Sequence, residues 1–189
     1  MKKINIFLTL AALFLLNGCV GSSNYYVLSV ASQPSTVYAH KNRVIGVEKV
    51  TIPAYLYKRQ IAIAKSPSQI DFITGSEWGE DLDEGLTHRL ISFLQKKFRQ
   101  PRVYAYPWHT DTLPSRRVKV QITRFIAYGD RVYLDANWEV KSLSTGRSRS
   151  SLFNTSVATK SGDAASIVAS MDAAFRQLEE SIANGLKSF

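Results

Sequence analysis

The side chain with the most definite chemistry in this chain is its only thiol. Cys19 closes the run Leu16-Asn17-Gly18-Cys19 and is the one cysteine among 189 residues. A leucine three positions earlier, a small residue just before and a thiol at the boundary form a lipobox-like pattern, with Asn17 at its one less usual position. Leu16 would seat the segment in a signal peptidase, and Gly18 leaves room at the scissile bond. The thiol takes a diacylglycerol as a thioether, and the amine freed by cleavage can take a third chain. The alternative is a chance or buried cysteine beside an ordinary export signal. Either way no internal disulfide is available, so the fold must be stable from its core alone.

The preceding residues suit that chemistry. Lys2 and Lys3 form a positive start, and residues 4–16 are almost wholly apolar. That stretch fits a signal-peptide core and falls short of the roughly 20 residues a spanning helix needs. The expected organisation is a signal peptide over residues 1–18, a lipidated tether over 19–24 and a single periplasmic domain over 25–189. Removing 18 residues leaves 171, and losing Lys2 and Lys3 takes the formal net charge from +9 to +7. This length suits one domain with a sizeable core. A tether of five or six residues reaches only about 20 Å, which keeps the domain close to its membrane. The basic balance does not point to nucleic acid in an exported chain. An anionic lipid surface or an acidic protein partner fits better, with simple solubility as the plain alternative.

No second set of reactive residues emerges. His40, His88 and His109 are not spaced as ligands on one helix face, so no metal site is expected. There is no Gly-x-Ser-x-Gly elbow and no glycine-rich phosphate loop. Glu80, Asp81, Asp83 and Glu84 crowd the start of a predicted helix, where the helix dipole accounts for them better than a glycosidase pair does. His88, beside Arg89, reads as a solvated or rim residue. The expectation is no catalytic residue, and no cofactor beyond the covalent lipid on Cys19.

Two loops carry more information. Pro53-Ala54-Tyr55-Leu56-Tyr57-Lys58 is too apolar for an ordinary turn, and Pro107-Trp108-His109 puts a tryptophan between elements. Exposed aromatic loops serve as contact surfaces; the alternative is that the rings fold back over the sheet edges. Tyr55, Leu56, Tyr57, Lys58 and Trp108 are the candidate contact residues. Arg116, Arg117, Arg124, Arg131, Arg147 and Arg149 fall in or beside a predicted meander. They read as a solvated face, or as a surface for lipid headgroups or an acidic partner.

The elements that would hold these residues follow from periodicity. Strands are predicted over 25–30, 43–52, 60–64, 69–73 and 102–106, the third and fourth as a hairpin across Ser66-Pro67-Ser68. A helix is predicted over 78–99, where Leu82, Leu86, Leu90, Phe93, Leu94 and Phe98 form one stripe and Pro101 stops it. A meander follows over 116–127, 131–143 and 149–158. It turns at Gly129-Asp130, read as type II′, and at Ser144-Thr145-Gly146. In its middle strand Val132, Leu134, Ala136, Trp138 and Val140 should face the core, while Tyr133 to Lys141 at odd positions face the other way. A second helix is predicted over 161–187, with Ser161 as N-cap. The fold class is therefore α/β (α+β). It is a two-layer sandwich with a mixed, largely antiparallel sheet of seven or eight strands and two long amphipathic helices on one face.

In this order the motifs resemble a known family. They are the lipobox; Tyr25-Tyr26-x-Leu28; Ile45-Gly46-Val47 leading to Val50-x-Ile52-Pro53-x-Tyr55-Leu56; Gln60-Ile61; Trp78-x-Glu80-x-Leu82; Tyr106-Pro107-Trp108; and the pair Val120-x-Ile122-x-x-Phe125 and Val132-x-Leu134-x-Ala136-x-Trp138. The chain is similar to ABC-transport auxiliary lipoproteins over nearly all of its mature length. It departs from the pattern after Leu56, where Tyr57, Lys58 and Arg59 stand in place of Asp, Arg and Pro. The resemblance implies an outer-membrane lipoprotein that docks or caps an MCE-type lipid-transport bridge as an oligomer, without catalysis. A different envelope scaffold, or a periplasmic enzyme, remains the alternative.

Overall fold

The structure, a computed structural model, describes residues 22–28, 30–31, 33–38, 43–108 and 113–188. Cys19, the predicted signal segment, His40 and His109 lie outside the described residues.

The organising strand is β6 (Arg116–Tyr128). Along one side it pairs antiparallel with β7 (Arg131–Ser142), which pairs in turn with β8 (Ser148–Ala158). This is the predicted meander. Gly129 at φ +62 opens the two-residue turn, and Gly146 at φ +71 lies in the second. The other side of β6 is shared by two wings. Its start takes β2 (Ile45–Val47), with β5 (Val103–Ala105) beyond. Its end takes β3 (Gln60–Ser66), followed outward by β4 (Gln69–Trp78) and β1 (Asn24–Tyr26). The result is one mixed sheet of eight strands.

Two helices, α1 (Leu82–Phe98) and α2 (Ala164–Lys187), pack on one face of this sheet. The alternation of β7 decides which face. Val132, Leu134, Ala136, Trp138 and Val140 are all 4% exposed or less, whereas Asn137 and its same-parity neighbours keep contact with solvent. The apolar stripes of α1 and α2 close the core above them. Gly185 of α2 is required there, because a Cβ at that position would sit 2.5 Å from the Trp138 ring. Among the described residues no helix is long and apolar enough to cross a membrane.

Several boundaries differ from expectation: β1 ends at Tyr26 rather than at 30, and β4 runs past 73 to Trp78. The helix expected to open at Trp78 does not: Trp78, buried, ends β4, and α1 begins only at Leu82 after Asp81. The strand expected over 43–52 is regular only at Ile45–Val47. Beyond it the chain stays extended, with Glu48 and Thr51 N–H donating to β6 carbonyls, but Val50 N–H turns away to the Thr87 hydroxyl. The N-cap of α2 is Asp163, which accepts from Ser166 N–H at 2.8 Å; Ser161 instead donates to the Asp163 carboxylate.

The helix seam is held by charge. Arg89, fully buried, reaches from α1 to Glu179 of α2 through Nε at 3.2 Å and Nη2 at 3.3 Å, and also pairs with Asp172. Burial pushes the Glu179 carboxyl up to about 7, against the opposing pull of Arg89. Lys97, equally buried, meets Glu180 at 2.7 Å and Thr36 Oγ1 at 2.9 Å. The chain before β2 lies along this seam. Leu28 and Ala31 carbonyls accept from Arg89 and Lys96, and Tyr38 donates to Asn184.

Candidate contact surface

The first aromatic loop is a short 3-10 turn, Ala54–Tyr57, entered from extended Pro53 and closed by the Leu56 N–H donating to the Pro53 carbonyl at 3.0 Å. The turn divides its side chains between core and solvent. Leu56 is 2% exposed and belongs to the core, whereas Tyr57 is 57% exposed and Lys58 is also exposed. Leu56 therefore holds the turn down and offers no surface to a partner, which corrects its place among the candidate contact residues. Tyr55 is half-buried. Its phenol oxygen accepts the Phe125 N–H at 3.2 Å, in the stretch of β6 between the two wings. Burial raises its pKa. Within this loop one ring folds back and one points out.

Tyr55 also walls a groove of about 550 Å³ between the β3–β4 hairpin and β6, with Pro67, Ile70, Arg124, Ile126 and Tyr128. The register places Ile126 opposite Tyr133 and Tyr128 opposite Arg131, on the sheet face turned away from the helices. Ile70 and Tyr128 are 41% and 37% exposed there.

The second loop follows β5. Trp108 lies across Gly46 of β2, where a Cβ would come within 2.5 Å of the indole and 2.8 Å of Pro114. The indole N–H donates to the Tyr104 carbonyl at 3.3 Å, and the ring meets Tyr106 edge-on at 5.1 Å. Trp108 is only half-exposed; the rings offered outward are Tyr106, 61% exposed, and Tyr104, 39% exposed. The structure thus joins Trp108 with Tyr104 and Tyr106, and Tyr55 with Ile126 and Tyr128. Tyr104 and Tyr128 escaped the sequence reading because each sits in a strand rather than a loop. The available signal was a large ring beside one core neighbour, Val103 for Tyr104 and Ala127 for Tyr128.

The charges around these rings are largely accounted for. Arg117 bonds Glu139 at 3.1 Å and lies 3.3 Å from Glu48; Arg124 stacks on Tyr133 at 4.2 Å and faces Asp135. Arg131 is held by Ser156, and Arg116 by Ser115 and Ser142. Burial lowers the Arg116 pKa, with help from the like charges of Arg43 and Arg147. The acidic run at the start of α1 is anchored by Lys49, 2.9 Å from the buried Asp83 and 3.3 Å from Glu84; the Asp83 hydrogen bond raises the lysine pKa. His88 is exposed. Among the described residues no cluster of His, Cys, Asp or Glu has the makings of a metal site.

The family model of ABC-type transport auxiliary lipoprotein components matches residues 26–183. Among curated proteins the chain is similar to the intermembrane transport lipoprotein PqiC of Escherichia coli K12 and to that of Shigella flexneri. Each is 29% identical over 144 residues, which is 73% of this chain and 73% of the relative. Among solved structures, protein XCC0632 of Xanthomonas campestris superposes with a TM-score of 0.73 at 15% identity, covering 87% of this chain and 94% of the other. A second, titled only as an uncharacterized protein, gives 0.71 at 20% identity over 87% and 99%. These two support the sandwich fold. With the match running from β1 into the last turns of α2, the chain belongs to the family of ABC-type transport auxiliary lipoprotein components.

Proposed function

We propose that this auxiliary transport lipoprotein works by binding, not catalysis. Signal removal after residue 18 would leave Cys19 lipidated, and residues 19–24 would tether the domain over 25–189 to the periplasmic side of the outer membrane. Val20 follows Cys19, without the Asp that commonly signals inner-membrane retention in enteric-type sorting. The exposed rings would dock an MCE-domain transporter subunit or a second copy of the chain, so that the lipoprotein caps an MCE bridge. The relatives named for intermembrane transport support the setting.

The observation that carries this reading is the outward display of Tyr57, Tyr104 and Tyr106 at 57%, 39% and 61% exposure, with Lys58 beside the first. Large rings beside a basic side chain are frequent in the few residues that dominate interface energetics. A monomer gains little from holding them in water.

The test is site-specific photocrosslinking in the native envelope, with the probe at Tyr57, at Tyr106 and at Thr145 as a remote control. Adducts with an MCE-domain subunit or a second copy at the two tyrosines, but not at Thr145, are expected. Equal labelling at all three positions, or none at the tyrosines, would remove the basis for this reading. Gradient fractionation checks the compartment: recovery in the inner membrane would refute the outer-membrane assignment.

A further inference from the structure

The sheet and helix layers do not seal at one corner. By register with Val140, Trp138, Ala136, Leu134 and Val132, the helix-facing positions of β8 are Arg149, Ser151, Phe153, Thr155 and Val157. Phe153 and Val157 pack on the core, but Arg149 and Ser151 stand where a core would need large apolar groups. Helix α2 answers with a polar stripe of Arg176, Gln177, Glu180, Ser181 and Asn184, which helical spacing gathers on one side. The result is a cleft of about 660 Å³ between β8 and α2, with Gln33 and Ser35 on a further wall. Trp138 forms its floor, and its indole N–H donates to Ser181 Oγ at 3.1 Å.

The charges in this cleft are unbalanced. Its one carboxylate, Glu180, is already committed to Lys97 at 2.7 Å. Arg149 donates to the Ser188 hydroxyl at 2.7 Å and meets no acid among the described residues. Arg176 makes no hydrogen bond or ion pair among the described residues. Arg89, Arg117 and Arg124 each face a carboxylate instead. Two guanidinium groups with no acid partner among the described residues, in a concave site rich in hydroxyl and amide donors, suit the oxygens of a phosphate ester. The volume lies in the range of small-ligand sites, and an aromatic floor can cover the carbon portion beyond the phosphate.

We propose that the β8–α2 cleft binds a phosphate ester through Arg149 and Arg176, with Ser151 and Asn184 donating and Trp138 beneath the ligand. The ester is a free glycerol-type phosphate or the headgroup of a phospholipid. This site shares no residue with the aromatic contact surface.

The full lipidated chain in a non-ionic detergent is titrated by calorimetry with inorganic phosphate, sn-glycerol 3-phosphate and dihexanoyl phosphatidylglycerol. Fluorescence is followed in parallel with and without Trp138→Phe. Saturable binding that perturbs Trp138 is expected, with Kd raised at least tenfold in R149Q/R176Q. A lipid that binds at least tenfold tighter than glycerol phosphate assigns the headgroup; equal affinities assign the free ester. Both exposed arginines should be replaceable without loss of a cooperative melt. Arg176→Gln alone, which breaks no hydrogen bond or ion pair among the described residues, should raise Kd at least threefold and guards against a folding artefact. The proposal is overturned if none of the three compounds saturates, or if the double variant binds them as the parent does.

Discussion

The two faces of the sheet use the same residue types for opposite ends. On the helix side, Arg89 is fully buried, gripped by Glu179 and Asp172 and stacked over Phe175 at 5.4 Å. On the open side, Arg124 stacks over Tyr133 but stays 40% exposed, 4.0 Å from an equally exposed Asp135. A buried pair is costly to break, because the surviving charge has no water to turn to; an exposed pair contributes about 0–1 kcal/mol. The Arg89 seam between the helices is thus committed to stability. The exposed rings and charges stay available for a partner at little cost to the fold. Substitutions should therefore separate into two classes, one that moves the melt and one that moves only binding.

The largest effect is expected at the helix seam. Arg89→Met strands the Glu179 carboxyl and should cost about 3–5 kcal/mol in a denaturant melt. Adding Glu179→Leu should recover much of that loss, since a well-packed apolar pair can replace a buried ion pair. If the double variant is no more stable than the single, the seam is not an isolated pair and the contrast between the faces needs another basis. Trp138→Ala should be of similar size, about 3–5 kcal/mol, because it empties the floor on which Gly185 packs. A melting temperature that hardly changes would mean the β7 face is assigned the wrong way round.

Next comes the pH dependence. Glu179 titrates near its ordinary 4.5 in the unfolded chain and at about 7 in the fold. Between those values the folded state holds more protons, so stability falls as pH rises. The contribution is fully present below about 4.5 and is lost as pH passes through about 7, on the order of 3 kcal/mol in all. Glu179→Gln should flatten the melting curve across this window. An unchanged slope in the variant would show that other groups govern it.

Much of this division is legible in the sequence, because it rests on local periodicity. The alternation of β7 gave the core face directly, and the leucine stripe located α1. What was not legible depends on distant parts of the chain. Arg89 drew no reading of its own beside the rim residue His88; its burial comes from partners 83 and 90 residues away and from the earlier chain near Leu28 crossing the seam. Trp78 misplaced the start of α1 because an apolar residue four before Leu82 continues the helical stripe, although it enters the same core from a strand end. Leu56 shared a loop with outward rings, and only the 3-10 turn reveals that it points inward. In the β8–α2 corner the signal was a missing one, polar residues at Arg149 and Ser151 where alternation calls for apolar ones.

The smallest effect on stability should accompany the largest effect on function. Tyr57→Ser with Tyr106→Ser alters two exposed rings and should shift stability by no more than about 0.5 kcal/mol per site. The decisive measurement is co-purification of this double variant from native membranes, scored for an MCE-domain subunit and for a second tagged copy, alongside its thermal melt. The account predicts an unchanged cooperative melt with retention of the partner reduced at least tenfold. Full retention of the partner by a folded double variant would contradict it.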